Sequence, residues 1–274
     1  MTDANKNLFM RLATAAVMVP LLLAMLYVWP PVVFYVLIAA ATVVGGLELF
    51  AMTHPDDRVA RGIGAATCLA VSVALYFFGA DARVLLAILF GVPMIAVLVP
   101  LVRLGDISTA GLRIAGGAFG PLYVGALTLL ALLLRERGAD GAGYVVFTLM
   151  IAWFSDTFGY FFGRFLGKHK LYPAVSPKKT IEGSLGGLVG STVGALLAHF
   201  VYLRSLPLLH AIGLAIVGGA LGQMGDLGES LLKRSTGVKD SGQIVPGHGG
   251  ILDRIDALLL AVTVVYLYTR FALA

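Results

Sequence analysis

The residues best suited to chemistry, by type and by spacing, lie between Ser230 and Asp256. Gly247, Gly249 and Gly250 precede a predicted helix, so unhindered backbone N–H groups and the positive end of the helix dipole point to one place, which suits phosphate. Cations lie close by in the sequence, at Lys233, Arg234, Lys239 and Arg254. This combination of glycine and positive charge predicts a phosphate-binding loop.

Carboxylates accompany this loop. Asp253 and Asp256 are three residues apart on the predicted helix and share a face, and Asp226 lies on the helix before the loop. Carboxylates beside a phosphate would repel it unless a cation lay between them, and Mg²⁺ is commonly held by one or two carboxylates plus substrate phosphates. We therefore predict Asp226 and Asp253 as metal ligands, with Asp156 and Asp256 as further members of the same cluster.

A second interpretation of these acids stays open. They could serve only as ion-pair partners of Lys233, Arg234 and Arg254, although acids at membrane depth more often belong to a functional site. For Glu229, which lies nearer the aqueous end of its helix, the two interpretations are equally good.

The elements that must position these groups are membrane helices. Hydrophobic residues make up 59% of the 274 positions and charged residues 13%, whereas soluble domains average roughly half and a quarter. About nine apolar runs are each long enough to cross a hydrocarbon core of about 30 Å. The runs lie near residues 8–29, 31–52, 63–79, 84–102, 115–134, 144–163, 183–203, 209–228 and 252–271. The sequence thus predicts an all-α, polytopic integral membrane protein.

The first half of the chain gives two further expectations, one about its first apolar run and one about its cysteine. The first run continues through Trp29 to Pro31 without a small-residue cleavage site, so we expect a retained helix rather than a secretory signal. The single cysteine, Cys68, lies in an apolar run and can form no disulfide within the chain.

The two halves of the chain differ in character. Up to about residue 150 the spans are rich in Leu, Val and Ala, with Glu48 as their only intramembrane acid. The later spans carry the acids named above and glycines four residues apart, a spacing that favours close helix packing over ligand contact. These glycines include Gly183, Gly186, Gly187 and Gly190. We predict residues 1–143 as a scaffold with oligomer contacts, and residues 144–274 as a catalytic region. This region contains two basic cytoplasmic loops, the first at residues 163–183 and the second at residues 230–256.

The basic residues predict an orientation. With about nine spans and the N-terminus inside, fifteen of the 20 Lys and Arg residues fall on the cytoplasmic side. The other side holds Arg83, Arg135, Arg137, Arg204 and Arg270. The positive-inside rule therefore places the N-terminus and both basic loops in the cytoplasm.

The order of these residues resembles a known family. From Ser230 to Asp256 the chain is similar to the signature of the phosphatidate cytidylyltransferases, or CDP-diacylglycerol synthases, with Ser, Lys-Arg, Lys-Asp, Pro, His-Gly-Gly, Asp-Arg and Asp in the same order and spacing. Residues 155–183 resemble the family as well. The departures are Ile181, where Trp is expected, and Val245, where Leu or Ile is usual, and both keep an apolar side chain.

The resemblance implies an activity. A phosphatidate oxygen would attack the α-phosphorus of CTP, giving CDP-diacylglycerol and pyrophosphate, in a Mg²⁺-dependent enzyme of the bacterial inner membrane that is usually a homodimer and is assisted by K⁺. No nucleic acid partner is expected. The catalytic residues would be Asp226, Asp253, Lys233, Arg234, Lys239, His248 and Arg254. The substrate-binding residues would be Ser176, Lys178, Lys179, Ser230, Gly247, Gly249 and Gly250.

The expected role of His248 is hydrogen-bond donation to phosphate rather than general base catalysis. A phosphate monoester has a second pKa of about 6 and is largely a dianion at neutral pH, so the nucleophile needs no deprotonation.

Two other functions stay open. A sibling enzyme would act on another lipid, such as an ether-lipid phosphate or a polyprenol. An ion-coupled transporter would also have buried acids and glycine-rich helices, but two related halves are expected there, and the acids of this chain gather in one half.

Overall fold

The computed structural model describes residues 18–242 and 249–273, and this part of the chain is built almost entirely from helices. The helices are α1 (described over Met18–Tyr27), α2 (Pro31–Thr53), α3 (Arg58–Phe78), α4 (Ala82–Val102), α5 (Ala110–Gly125), α6 (Thr128–Glu136), α7 (Gly141–Leu166), α8 (Ile181–Val201), α9 (Leu208–Ser235) and α10 (Leu252–Phe271). Short 3₁₀ turns at Ile107–Thr109 and Gly138–Asp140 precede α5 and α7. An antiparallel hairpin, β1 (Lys170–Tyr172) and β2 (Ser176–Thr180), joins α7 to α8.

The all-α membrane architecture is confirmed. Within the described residues, seven segments are long and apolar enough to span a bilayer, and they indicate an integral membrane protein. The segments are Pro31–Thr53, Arg58–Phe78, Ala82–Val102, Ile107–Glu136, Gly138–Leu166, Ile181–Val201 and Leu208–Ser235. The count of about nine is not confirmed, because α1 is described over only ten residues and α10 carries four charged residues.

The charged helix α10 lies inside the molecule. It packs against α9, α7, α6 and α2, and Leu259, Val262 and Val265 along it are fully buried. Charged side chains in a membrane protein are tolerated where they face the protein interior or a polar cavity. The position of α10 therefore accounts for acids in an otherwise apolar helix.

Three elements differ from the sequence expectation. The predicted span 115–134 is two helices, because α5 ends at Gly125 and α6 begins at Thr128. Helix α9 continues to Ser235 instead of ending near residue 228. The first basic loop contains the β-hairpin, whose strands are too short and polar to be recognised from alternation.

The glycines of α8 permit close contact with α7. A Cβ atom at Gly190 would overlap the carbonyl oxygen of Phe154, and one at Gly187 would lie 2.9 Å from the hydroxyl of Ser155. The packing role predicted for these glycines is confirmed.

Contacts between helix ends define two faces of the molecule. On the first, which we call the site face, Arg103 binds Asp57 at 2.7 Å and lowers the pKa of that carboxyl to about 2. On the opposite face, the hydroxyl of Tyr266 donates to Glu136 at 3.1 Å. Successive spans run between these faces, as expected of a polytopic chain.

Candidate active site

A cavity of about 420 Å³ opens between α7, α8, α9 and the hairpin. Its size is within the range of about 300–1,000 Å³ that is usual for small-molecule sites. Its lining combines apolar surface with charged side chains of both signs. The lining includes Ser155, Asp156, Tyr160, Arg164, Lys178, Lys179, Thr180, Ser184, Gln223, Asp226 and Leu227.

An ion pair crosses this cavity. The Nζ atom of Lys179, on β2, lies 2.5 Å from Oδ2 of Asp226, on α9. About 30% of each side chain is exposed, with values of 28% for Lys179 and 31% for Asp226. Both residues were predicted for the site, and the structure brings them together.

Local capping fixes β2 against α8. Thr180 is the N-cap of α8, and its Oγ1 accepts the N–H of Gly183 at 3.1 Å. Glu182 accepts backbone N–H groups from Lys168 and His169 and lies 2.6 Å from Nδ1 of His169. These hydrogen bonds fix the hairpin against the start of α8, so the strand that carries Lys179 has a defined position.

Asp156 is the second carboxylate of the cavity. It lies on α7, within electrostatic range of Asp226, Lys179 and Arg254. Lys178 lines the same space. The cavity therefore combines two carboxylates with several cations, an arrangement suited to phosphate groups bound together with a divalent cation.

A hydrogen-bonded amide forms another wall of the cavity. Ser184 Oγ donates to Oε1 of Gln223 at 2.5 Å, while Nε2 of Gln223 donates to the Ser184 carbonyl at 3.1 Å and to Ser155 Oγ at 3.3 Å. The sequence pattern did not assign these residues to the site, nor Arg164 and Tyr160. The available signal was the position of Gln223, three residues before Asp226 on one helix face.

Lys233 and Asp253 form a separate, more buried cluster. The Nζ atom of Lys233 lies 2.5 Å from Oδ1 of Asp253 and 3.0 Å from Oε2 of Glu229. The other oxygen of Asp253 accepts the N–H groups of Ser241 at 3.0 Å and Gly250 at 2.8 Å. In the structure Asp253 is thus an ion-pair partner of Lys233, as the second interpretation of the acids expected. Asp256 is buried beside Glu229.

The predicted metal ligands do not form one cluster. Among the described residues, no group of three or more His, Cys, Asp or Glu side chains could hold a metal ion. Asp156 and Asp226 share the cavity, and such a pair fits Mg²⁺, which needs one or two carboxylates when substrate phosphates complete its shell. Metal binding by the four acids stays a prediction.

The start of α10, where phosphate was predicted, binds carboxylates of the chain itself. The N–H of Gly250 donates to Asp253, and those of Ile251 and Leu252 donate to Glu48 of α2 at 3.0 and 2.8 Å. In the sequence, Glu48 stands out only as an isolated intramembrane acid. Phosphate binding by Gly249 and Gly250 stays a prediction, and Gly247 and His248 lie outside the described residues.

The remaining predicted residues lie around these two clusters. Arg234 and Lys239 are exposed at and beyond the end of α9, and Arg254 is exposed in the first turn of α10. Ser176 on β2 and Ser230 on α9 are half-buried. Their roles stay predictions.

Comparison with known proteins gives a consistent family. Residues 9–272 match the model of the cytidylyltransferase family. A phosphatidate cytidylyltransferase of Staphylococcus saprophyticus is 45% identical over 126 residues, which cover 46% of this chain and 48% of that protein. The enzyme of that name from Staphylococcus haemolyticus is 46% identical over 121 residues, which cover 44% of this chain and 46% of that protein. The one from Staphylococcus aureus is 44% identical over 124 residues, which cover 45% of this chain and 48% of that protein. The chain thus matches about half the length of these relatives.

Proposed function

Because the chain belongs to the cytidylyltransferase family, we propose that it transfers the cytidylyl group of CTP to phosphatidate, giving CDP-diacylglycerol and pyrophosphate. The names of the staphylococcal relatives support this choice of substrates. The observation that carries the proposal is the cavity in which Asp156 and Asp226 face Lys178 and Lys179. Such a cavity matches a reaction between two phosphate-bearing anions.

In this reaction an oxygen of the phosphatidate phosphate forms a bond to the α-phosphorus of CTP. The bond from that phosphorus to the oxygen bridging the β-phosphate breaks, and pyrophosphate leaves with the electron pair. Since the nucleophile is already anionic, the enzyme's task is to align two anions and stabilise charge on the leaving group. Lys178 and Lys179 bind the triphosphate in this proposal, and Arg164 at the same cavity contributes further positive charge.

Mg²⁺ is the cofactor of the proposal, with Asp156 and Asp226 as the residues that would hold it. When bound, the ion would neutralise charge between these carboxylates and the phosphates. Asp253 is less suited, because both of its oxygens already accept contacts from Lys233, Ser241 and Gly250. A supporting K⁺ ion follows from the resemblance alone.

The location and assembly are also proposals. We place the protein in a bacterial plasma membrane with the site face in the cytoplasm, because the basic excess lies on that side and the similar proteins are bacterial. A homodimer follows from the resemblance, and native mass spectrometry of the detergent-solubilised protein would measure it.

The experiment that tests the activity uses the full chain purified in detergent, labelled CTP, phosphatidate and Mg²⁺, with CDP-diacylglycerol as the measured product. We expect product to form with Mg²⁺ and to disappear with a chelator. Asp226→Asn should lower kcat by about 100-fold or more, while Asp56→Asn, at an exposed position on the same face, should keep wild-type activity.

Two results would overturn the proposal. One is the absence of CDP-diacylglycerol under conditions in which the protein is folded. The other is far better use of an ether-lipid phosphate or a polyprenol than of phosphatidate, which would favour a sibling enzyme.

A further inference from the structure

Glu48 of α2 contacts the start of α10 across the molecule. Its side chain is buried, and its two oxygens accept the backbone N–H groups of Ile251 at 3.0 Å and Leu252 at 2.8 Å. The first N–H groups of a helix have no partner within the helix, and a negative charge there also interacts favourably with the helix dipole. Glu48 thus satisfies the first turn of α10 from a different helix.

The contact continues into the Lys233 cluster through Ser241. The hydroxyl of Ser241 lies 3.3 Å from Oε2 of Glu48 and 2.9 Å from Oδ2 of Asp253. Asp253 in turn binds Lys233 of α9 at 2.5 Å. A continuous set of polar contacts therefore joins α2, α10 and α9 on the site face.

Glycines make room for the Glu48 carboxylate. A Cβ atom at Gly242 or at Gly250 would overlap the carboxylate of Glu48. Gly45, one turn earlier on α2, faces Val124 and Ile255, to which a Cβ atom would lie at 3.4 and 3.6 Å. The approach of α2 to the chain segment before α10 thus depends on residues without side chains.

The first turn of α10 connects this arrangement to the cavity. It carries Asp253 and Arg254, and Arg254 lies within electrostatic range of Asp156, which lines the cavity. A shift of the helix start would move both residues relative to this cavity. We propose that Glu48 is a positioning residue, which fixes the first turn of α10 relative to the cavity so that Arg254 meets the nucleotide phosphates. This inference rests on the proposed transferase function.

The kinetic test compares Glu48→Gln, Glu48→Asp and the wild type in full chains. Gln has the same size but only one acceptor oxygen, whereas the two N–H groups each donate to a different oxygen of Glu48. We expect kcat/KM for CTP to fall by about tenfold or more, since small misplacements of binding groups are costly, while KM for phosphatidate changes by less than about twofold. Glu48→Asp keeps the charge and should retain at least about three times the kcat/KM of Glu48→Gln.

The matched control is Thr42→Val, on the same helix. Thr42 is fully buried and its hydroxyl bonds only to Ile38 of its own helix among the described contacts. Its kinetic constants should stay within about twofold of the wild type. Unchanged constants in Glu48→Gln would overturn the proposal, and so would a uniform loss equal to the loss of folded protein.

A second measurement does not need activity. Hydrogen–deuterium exchange of the peptide containing Ile251 and Leu252 should be about tenfold faster in Glu48→Gln than in the wild type, because one of the two N–H groups loses its acceptor oxygen and faces an amide NH2 instead. If the wild type makes no CDP-diacylglycerol, the transferase function fails, and unchanged exchange would separately refute the role of Glu48 at the helix start.

A double-mutant cycle distinguishes loss of the Glu48 contact from general misfolding. Gly242→Ala should lower kcat/KM by about tenfold in the wild type but by less than about twofold in Glu48→Ala, because the added methyl overlaps a carboxylate that is no longer there. Equal losses in the two backgrounds would contradict the proposed contact.

Discussion

Lys233 and Arg234 are neighbours in the sequence with opposite surroundings. The ammonium group of Lys233 is buried between Glu229 and Asp253, whereas Arg234 is exposed. Both were predicted as phosphate-binding cations because the second basic loop was expected to begin before them. Since α9 continues through both residues, they point in different directions, and only Arg234 faces solvent.

Replacing Lys233 should therefore reduce stability more than replacing Arg234. Lys233→Met leaves two buried carboxylates without their cation, and we expect the free energy of unfolding to fall by about 3–5 kcal/mol. Arg234→Met should change it by less than about 0.5 kcal/mol. Thermal unfolding in detergent measures both, and equal melting temperatures for the two variants would contradict the buried ion-pair cluster.

The two acids chosen first as metal ligands should separate in their response to Mg²⁺. Asp226 lines the cavity, whereas Asp253 is saturated by Lys233, Ser241 and Gly250. We expect Asp226→Asn to raise the Mg²⁺ concentration for half-maximal activity by about tenfold or more, and Asp253→Asn to change it by less than about threefold. Residual activity measured against Mg²⁺ concentration tests this, and the reverse order would make Asp253 the ligand.

The α7–α8 pair is the element on which the cavity most depends. Gly190 lies directly against the Phe154 carbonyl, so Gly190→Ala should push the helices apart and lower both melting temperature and activity. Gly213→Ala is the control, because a Cβ atom at this exposed position of α9 has no neighbour within 4 Å. It should be neutral or stabilising by up to about 1 kcal/mol, through helix propensity. Identical melting temperatures would refute close packing at Gly190.

The helices could be predicted wherever an apolar run ended at a turn residue. The pattern failed where helix and apolarity diverged: α9 continues past Gly228 through Lys233, and the chain around Ala126 interrupts a helix without losing hydrophobicity. The hairpin strand β2 was also missed, since Pro177 and two lysines are poor signals for a strand.

The site was predictable in part for a related reason. Asp156, Lys179 and Asp226 are conspicuous as charges near membrane helices, and the structure brings them to one cavity. The partner of Glu48 was not predictable, because backbone N–H groups 203 and 204 positions away leave no mark in a local pattern. The backbone groups of α10 were assigned to phosphate since no internal acceptor was evident.

The orientation of the whole molecule can be tested by labelling introduced cysteines, because the single native cysteine is buried. Cys68 is fully buried in α3, so the wild type should give little background with a membrane-impermeant maleimide. In intact spheroplasts we expect Asp81→Cys, on the opposite face, to be labelled, and Asp56→Cys, on the site face, to be labelled only after permeabilisation. The inverse pattern would place the site face outside.

The contact between α2 and α10 also has a consequence in time. Leu252 follows Glu48 by 204 positions, so at a synthesis rate of about 5–20 residues per second a nascent chain carries Glu48 for roughly 10–40 s before its partners exist. During that interval an acid in a membrane-spanning helix lacks the donors that satisfy it in the finished fold. The carboxylate that anchors α10 in the mature molecule is thus an unsatisfied polar group in the unfinished chain until the start of α10 has been made.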